Sequence, residues 1–144
     1  MPDVCLYFQV HQPNRLLSYD FFRIGENAVH EDEALNIEIL NKVAEKCYLP
    51  ANRMFQQLVE ENDGRFRMAL SISGIVIEQM ERYRPDVLES FKALVATGSV
   101  ELLAETYYHS LAFVHSNREF DRQVEMHLQK LEEVFHVRPR VFRN

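Results

Sequence analysis

Several features that mark particular protein classes are missing from this 144-residue chain. It has no tryptophan and only four glycines, and no glycine-rich loop of the kind that cradles phosphate. No apolar run approaches the roughly 18–20 residues of a membrane-spanning helix. The start of the chain, Met1–Val4, has no basic segment, which argues against a signal peptide. These absences exclude a P-loop protein and favour a cytoplasmic protein with no membrane partner.

Cationic residues are also in the minority. Sixteen Lys and Arg against 22 Asp and Glu give a formal net charge of −6. A nucleic-acid-binding protein needs clustered cations, so this balance leaves sugars, other neutral small molecules and proteins as partners. The two cysteines, Cys5 and Cys47, fall within apolar segments, which predicts reduced thiols in the core.

The order of apolar patterns predicts an α/β fold. Hydrophobic residues make up 47% of the chain, as in a globular domain. Short apolar runs typical of buried strands alternate with segments of helical period, which is typical of a parallel sheet with β-α-β crossovers. A Ser116–Glu119 capping box marks the start of the last helix. The predicted strands are 4–10, 67–73, 100–104 and one beginning at 139, with helices at 34–47, 50–63, 75–83, 85–98 and 116–135.

Polar residues follow the predicted strands where each one ends. Because the carboxyl ends of parallel strands form one rim, these residues are expected to meet there. Three of them have other interpretations. His11 could be a strand-end histidine bonded to backbone, and Glu101 could pair with a core arginine, since a carboxylate within a buried strand is costly otherwise. The pair Tyr107-Tyr108 could serve packing alone. The predicted rim residues are His11, Gln12, Ser73, Glu101, Glu105, Tyr107, His109, Arg143 and Asn144.

Motifs for metal binding or nucleophilic catalysis are absent from the sequence. Six histidines are present, but none forms a His-x-x-x-His or His-Glu-x-x-His pair, and there is no Cys-x-x-Cys or Gly-x-Ser-x-Gly. His109 and His115 are six residues apart in a predicted loop, which is weak evidence for a metal. We therefore expect no metal and no cofactor.

Four segments in order along the chain resemble glycoside hydrolase family 57, the α-amylase and 4-α-glucanotransferase group. The most specific feature is the combination of a His-Gln-Pro tripeptide with a Gly-x-x-Glu strand and the terminal Phe-Arg-Asn. The segments that carry the resemblance are residues 7–13, residues 71–74 with Glu78-Gln79, residues 98–109 and residues 141–144.

The resemblance implies a seven-stranded (β/α) barrel and a retaining mechanism on α-1,4-glucans, in which one carboxylate attacks the sugar and a second acts as acid. It implies that residues 1–144 are the N-terminal portion of a single catalytic barrel domain. The nucleophile Glu is expected about two residues beyond Asn144, and the acid Asp further on. His11 and Glu101 are then expected to line the sugar subsite beside the scissile bond.

The main hypothesis is therefore part of an α-glucan hydrolase or transglycosylase, with an oligosaccharide substrate. The isolated 144 residues are predicted to be inactive, and to be either poorly stable or self-associating through uncovered strand edges. One alternative is a metal-dependent carbohydrate deacetylase on a related barrel, for which His11, His109 and His115 are the candidate ligands. Another is a non-catalytic sugar-binding or assembly module.

Overall fold

The protein folds around a three-stranded parallel sheet. The computed structural model describes residues 4–18, 20–23, 25 and 30–144. The strands are β1 (Tyr7–Val10), β2 (Met68–Ile72) and β3 (Val100–Leu102), in the order β1-β2-β3. Tyr7 lies beside Ala69, and Ala69 lies beside Glu101. The predicted α/β class with parallel crossovers is confirmed.

Strands β1 and β2 differ in burial. All five residues of β2 are buried, as their apolar pattern predicts, because the strand pairs with a neighbour on each side. Strand β1 pairs with β2 alone within the described chain, and of its four residues only Val10 is buried. Phe8 is 39% exposed, so the prediction of a buried strand at residues 4–10 is wrong for most of β1.

The end of the chain pairs with the segment just after β3 through a single parallel bridge. Ala104 pairs in parallel with Phe142. The Ala104 N–H donates to the Val141 carbonyl and the Arg143 N–H donates to the Ala104 carbonyl, both at 2.8 Å. The strand predicted to begin at residue 139 therefore lies beside β3, although it pairs over a shorter length than β1 or β2.

Helices α1 (Glu33–Val43) and α2 (Leu49–Glu61) are joined without a break by a π-helical segment, Ala44–Tyr48. The sequence predicts two separate helices here, with Pro50 opening the second. Proline has no N–H to give the preceding turn, so the usual bonding cannot run through it. The Leu49 N–H instead reaches the Ala44 carbonyl five residues back, and the helical path continues into α2.

The remaining helices are α3 (Gly74–Tyr83), α4 (Pro85–Ala96) and α5 (Asn117–Phe135), with short 3₁₀ turns at Phe21–Arg23 and Ala112–Val114. The predicted Ser116–Glu119 capping box is confirmed, because the Ser116 hydroxyl accepts the Glu119 N–H at 3.2 Å. Gly98 follows α4 with a positive φ of +74°, which suits a residue just after a helix. None of the described helices has the length and apolar character needed to cross a membrane.

Both cysteines are exposed, so the prediction of core thiols is wrong. Cys47 lies in the π-helical segment, where one extra residue in the turn rotates the following side chains relative to a regular helix. As a result Tyr48, and not Cys47, is turned into the core at 8% exposure. Cys5 precedes β1 and lines a surface groove.

The segment between the first predicted strand and the first predicted helix, residues 14–32, is described in part. Leu16 and Glu31 form an antiparallel bridge, and the Asp32 N–H donates to the Arg15 carbonyl at 2.7 Å. Asp32 then begins α1, because its carboxylate accepts the Leu35 N–H at 2.9 Å. Tyr19 and residues 1–3, 24 and 26–29 lie outside the described residues.

Candidate functional site

Five polar side chains meet at the carboxyl ends of the strands, and we call them the rim cluster: Gln9, His11, Ser73, Glu105 and His109. Alternation along a strand puts Gln9 and His11 on one face of β1. Ser71 lies directly beside Gln9 on that face, and Ser73 follows it. Glu105 and His109 come from the segment that follows β3. The predicted meeting of strand-end polar residues is found for four of the nine predicted residues: His11, Ser73, Glu105 and His109.

Glu105 is the buried centre of the rim cluster, with its side chain 0% exposed. One carboxylate oxygen, Oε2, accepts a hydrogen bond from Gln9 Nε2 at 3.2 Å and lies 2.9 Å from His109 Nδ1. The other oxygen, Oε1, is buried without a partner among the described residues. Burial raises the pKa of Glu105, while the adjacent His109 acts in the opposite direction. The side chains of Ser71 and Gln9 act in the same direction as His109.

The two histidines of the rim cluster lie side by side, with ring centroids 5.1 Å apart. His11 Nδ1 is 2.8 Å from the Ser73 hydroxyl oxygen, so the alternative of a purely backbone-bonded His11 is not what the structure contains. Burial, followed by the neighbouring His109, lowers the pKa of His11. His109 has a left-handed backbone with φ +51° and remains about one-third exposed.

Arg143 reaches the same face of the sheet further from the rim. Its guanidinium lies 4.1 Å from the centre of the Tyr7 ring, which is a cation–π distance. The Tyr7 hydroxyl lies 2.7 Å from that of Ser71. Tyr7 and Ser71 thus link Arg143 to the rim cluster.

Tyr107 is used in packing. It is 4% exposed and its hydroxyl donates to the Glu78 carboxylate, and both burial and Glu78 raise the pKa of the phenol. Its ring lies against the first residue of α3, where a Cβ on Gly74 would come within 2.3 Å of it. Tyr108 is half-exposed and meets Tyr107 edge-on. The structure does not bring Tyr107 into the rim cluster.

Gln12 and Asn144 also make contacts elsewhere. Gln12 accepts a bond from Arg15 Nη2 at 2.9 Å. Asn144 Oδ1 accepts bonds from the Thr106 N–H at 3.0 Å and hydroxyl at 2.5 Å, and its amide donates to the Ser110 carbonyl. Asn144 therefore fastens the turn that carries His109.

Glu101 is exposed, so the prediction that it is buried within a strand is wrong. By alternation it shares a face with Glu105, but it lies four residues earlier, a distance of about 13 Å along a strand. There it lines a groove of about 660 Å³ at the amino ends of the strands, together with Cys5, Arg138 and Arg140. At Glu101, β3 pairs with β2 alone among the described strands, which leaves this end of the sheet face open.

Sequence reasoning missed two residues of this face, Gln9 and Ser71. The signal was present, because each stands two positions before a predicted rim residue, His11 and Ser73, and period two puts such residues on one face. Of the three candidate deacetylase ligands, His11 and His109 are neighbours, but no group of three or more His, Cys, Asp or Glu side chains suited to a metal occurs in the described ranges.

Comparison with known proteins gives a consistent match. The model of glycosyl hydrolase family 57 matches residues 5–144. A putative alpha-amylase of Methanocaldococcus jannaschii is 43% identical over 141 residues, covering 95% of this chain and 29% of the relative. An alpha-amylase of Pyrococcus horikoshii is 34% identical over 85 residues, covering 58% of this chain and 13% of the relative.

A solved structure supports the fold. The crystal structure of 4-alpha-glucanotransferase from Thermococcus litoralis aligns with a TM-score of 0.63 and 16% identity, covering 91% of this chain and 17% of that one. This chain thus spans less than a third of the length of each of these relatives. With a family match over nearly every residue and a 43% identical relative, this chain belongs to glycosyl hydrolase family 57.

Proposed function

We propose that this chain forms the N-terminal part of a (β/α) barrel that hydrolyses or transfers α-1,4-glucans. The observation that carries the proposal is the rim cluster, in which a fully buried carboxyl lies among imidazole and amide groups in a family 57 chain. The relatives named alpha-amylase and 4-alpha-glucanotransferase support α-glucans as the substrate class.

The side chains of the rim cluster can form hydrogen bonds with sugar hydroxyls. The exposed edge of His109 can meet a sugar hydroxyl, and the buried Glu105 carboxylate beneath it holds that imidazole in place. His11, held by Ser73, adds a third polar group. In this proposal these residues orient the sugar, and the nucleophile Glu and acid Asp of the retaining mechanism lie outside residues 1–144. No cofactor is needed for that chemistry.

The other hypotheses have less support. The family match does not favour the metal-dependent deacetylase. Self-association through strand edges and a cytoplasmic location stay predictions. A non-catalytic sugar-binding module would bind glucan without turnover, which is one outcome of the experiment below.

The experiment incubates the full-length protein with maltoheptaose and separates the products by size. Hydrolysis gives only shorter chains and new reducing ends, whereas transfer gives both shorter and longer chains. His11→Ala should lower turnover and leave the fold intact by circular dichroism. If the wild-type protein gives no new product, the proposed function is contradicted. If His11→Ala keeps full activity, the sugar-binding role of His11 is contradicted.

A further inference from the structure

His127 lies in the middle of α5 and is completely buried, at 0% exposure. Its Nδ1 is 3.1 Å from the backbone nitrogen of Glu105, and its Nε2 is 2.8 Å from the carbonyl oxygen of Ile72. A backbone N–H can only donate and a carbonyl can only accept. Nδ1 is therefore the acceptor and Nε2 carries the proton, which defines one neutral tautomer. Burial lowers the pKa of His127, in keeping with a neutral ring.

The imidazole occupies the place of a backbone bond between two strands. The Leu103 N–H donates to the Leu70 carbonyl at 2.8 Å. In a parallel ladder the next bond, two residues on, would join the Glu105 N–H to the Ile72 carbonyl. Those are the two groups that His127 connects. The ring therefore separates the strand ends at this point while it satisfies both backbone groups.

This separation falls inside the rim cluster. Ile72 stands between Ser71 and Ser73, whose hydroxyls contact Tyr7 and His11. Glu105 is the buried carboxyl of the cluster. A direct ladder bond would draw the backbone of Glu105 toward Ile72 by about the width of an imidazole. The distance between Ser73 and Glu105, and so the width of the cluster, depends on the inserted ring.

We propose that His127 is a positioning residue, which by standing in for a ladder bond sets the place of Glu105 in the sugar-binding rim. The statement about sugar rests on the proposed function. The statement about Glu105 and the tautomer of His127 does not, because it follows from backbone geometry alone.

Two substitutions separate the two bonds. The Asn Oδ1 atom sits where Nδ1 of His stands, so His127→Asn keeps an acceptor for the Glu105 N–H. The Gln Nε2 atom sits where Nε2 of His stands, so His127→Gln keeps a donor for the Ile72 carbonyl. Each variant leaves one buried backbone group unpaired, so similar losses of melting temperature are expected.

Activity should not fall equally in the two variants. In the full-length enzyme we expect His127→Asn to keep kcat/KM within about threefold of wild type, and His127→Gln to lose about tenfold or more, since small displacements of an orienting group cost rate steeply. If the two variants lose the same kcat/KM and have the same melting temperature, His127 has only a structural role and the proposal is overturned.

Two measurements work without substrate. Hydrogen exchange of the peptide that contains Glu105 should be faster in His127→Gln than in His127→Asn; equal exchange overturns the proposal even if the enzyme proves inactive on glucans. If either variant fails to fold, ¹⁵N NMR of histidine-labelled wild-type protein can instead determine the tautomer of His127. A protonated Nε2 with a bare Nδ1 on a buried ring supports the proposal, and the opposite tautomer or an imidazolium overturns it.

Discussion

The two ends of one sheet face contain carboxylates in opposite environments. Glu105 at the carboxyl end is fully buried between Gln9 and His109, and burial raises its pKa. Glu101 has the same strand parity but is exposed in the groove at the amino end. Alternation decides only which face a side chain joins. Gln9 from β1 and His109 from the loop after β3 enclose the Glu105 side chain, and its burial there raises its pKa.

The largest expected effect separates these two carboxylates by activity. In the full-length protein, Glu105→Gln should lower kcat/KM on maltooligosaccharides by about 100-fold, because it alters a group held within the rim cluster. Glu101→Gln should change it far less. Its melting temperature should also match wild type, since exposed substitutions usually stay within about 0.5 kcal/mol.

The reverse result would be informative. A larger loss of activity in Glu101→Gln than in Glu105→Gln would mean that sugar reaches the amino-end groove, as the family resemblance implies for Glu101. Glu101, and not Glu105, would then be the carboxylate that matters for activity.

The next effect tests the packing beneath the rim. Gly74→Ala should destabilise the full-length protein by about 1–3 kcal/mol, because the added methyl meets the buried ring of Tyr107. Without that contact, alanine would favour folding by about 0.4–1 kcal/mol, because it restricts the unfolded chain more than glycine does. In a Tyr107→Ala background the same substitution should cost nothing or stabilise. Thermal unfolding measures all four proteins, and an equal cost in both backgrounds would exclude the contact.

A smaller effect concerns the hydroxyl of Tyr107. Tyr107→Phe should cost about 1–2 kcal/mol, since it removes a hydrogen bond from a buried phenol to a charged carboxylate. Tyr108→Phe is the matched control on the neighbouring, half-exposed ring. Denaturant unfolding of the pair should show a loss in the first and none in the second; a loss of the same size in Tyr108→Phe would contradict this.

The smallest expected effect is a pH dependence confined to the covered end. Burial lowers the pKa of His127 below its usual value of 6.5. The unfolded chain therefore takes up a proton before the folded one, and the stabilisation by neutral His127 is lost as pH falls below about 6.5. The stability difference between wild type and His127→Asn should shrink in that window, by denaturant unfolding at several pH values. A constant difference would contradict the neutral ring.

Local patterns determined much of this protein from sequence alone. The order of strands and helices, the Ser116 cap and the gathering of His11, Ser73, Glu105 and His109 all follow from periodicity and from the geometry of parallel sheets. The helices, strands and cap depend on residues close in sequence. The gathering at the rim follows because the carboxyl ends of all parallel strands lie at the same edge of the sheet.

Only the tertiary structure decided the rest. Period two could not tell exposed Glu101 from buried Glu105, because cover comes from segments distant in the chain. Helical period placed Cys47 in the core, and the π-helical turn before Pro50 turned it out. His127 reads as one more residue of a helix face. It acquires its place in the ladder from Glu105 and Ile72, which lie 22 and 55 residues away, and no local pattern encodes contacts of that range.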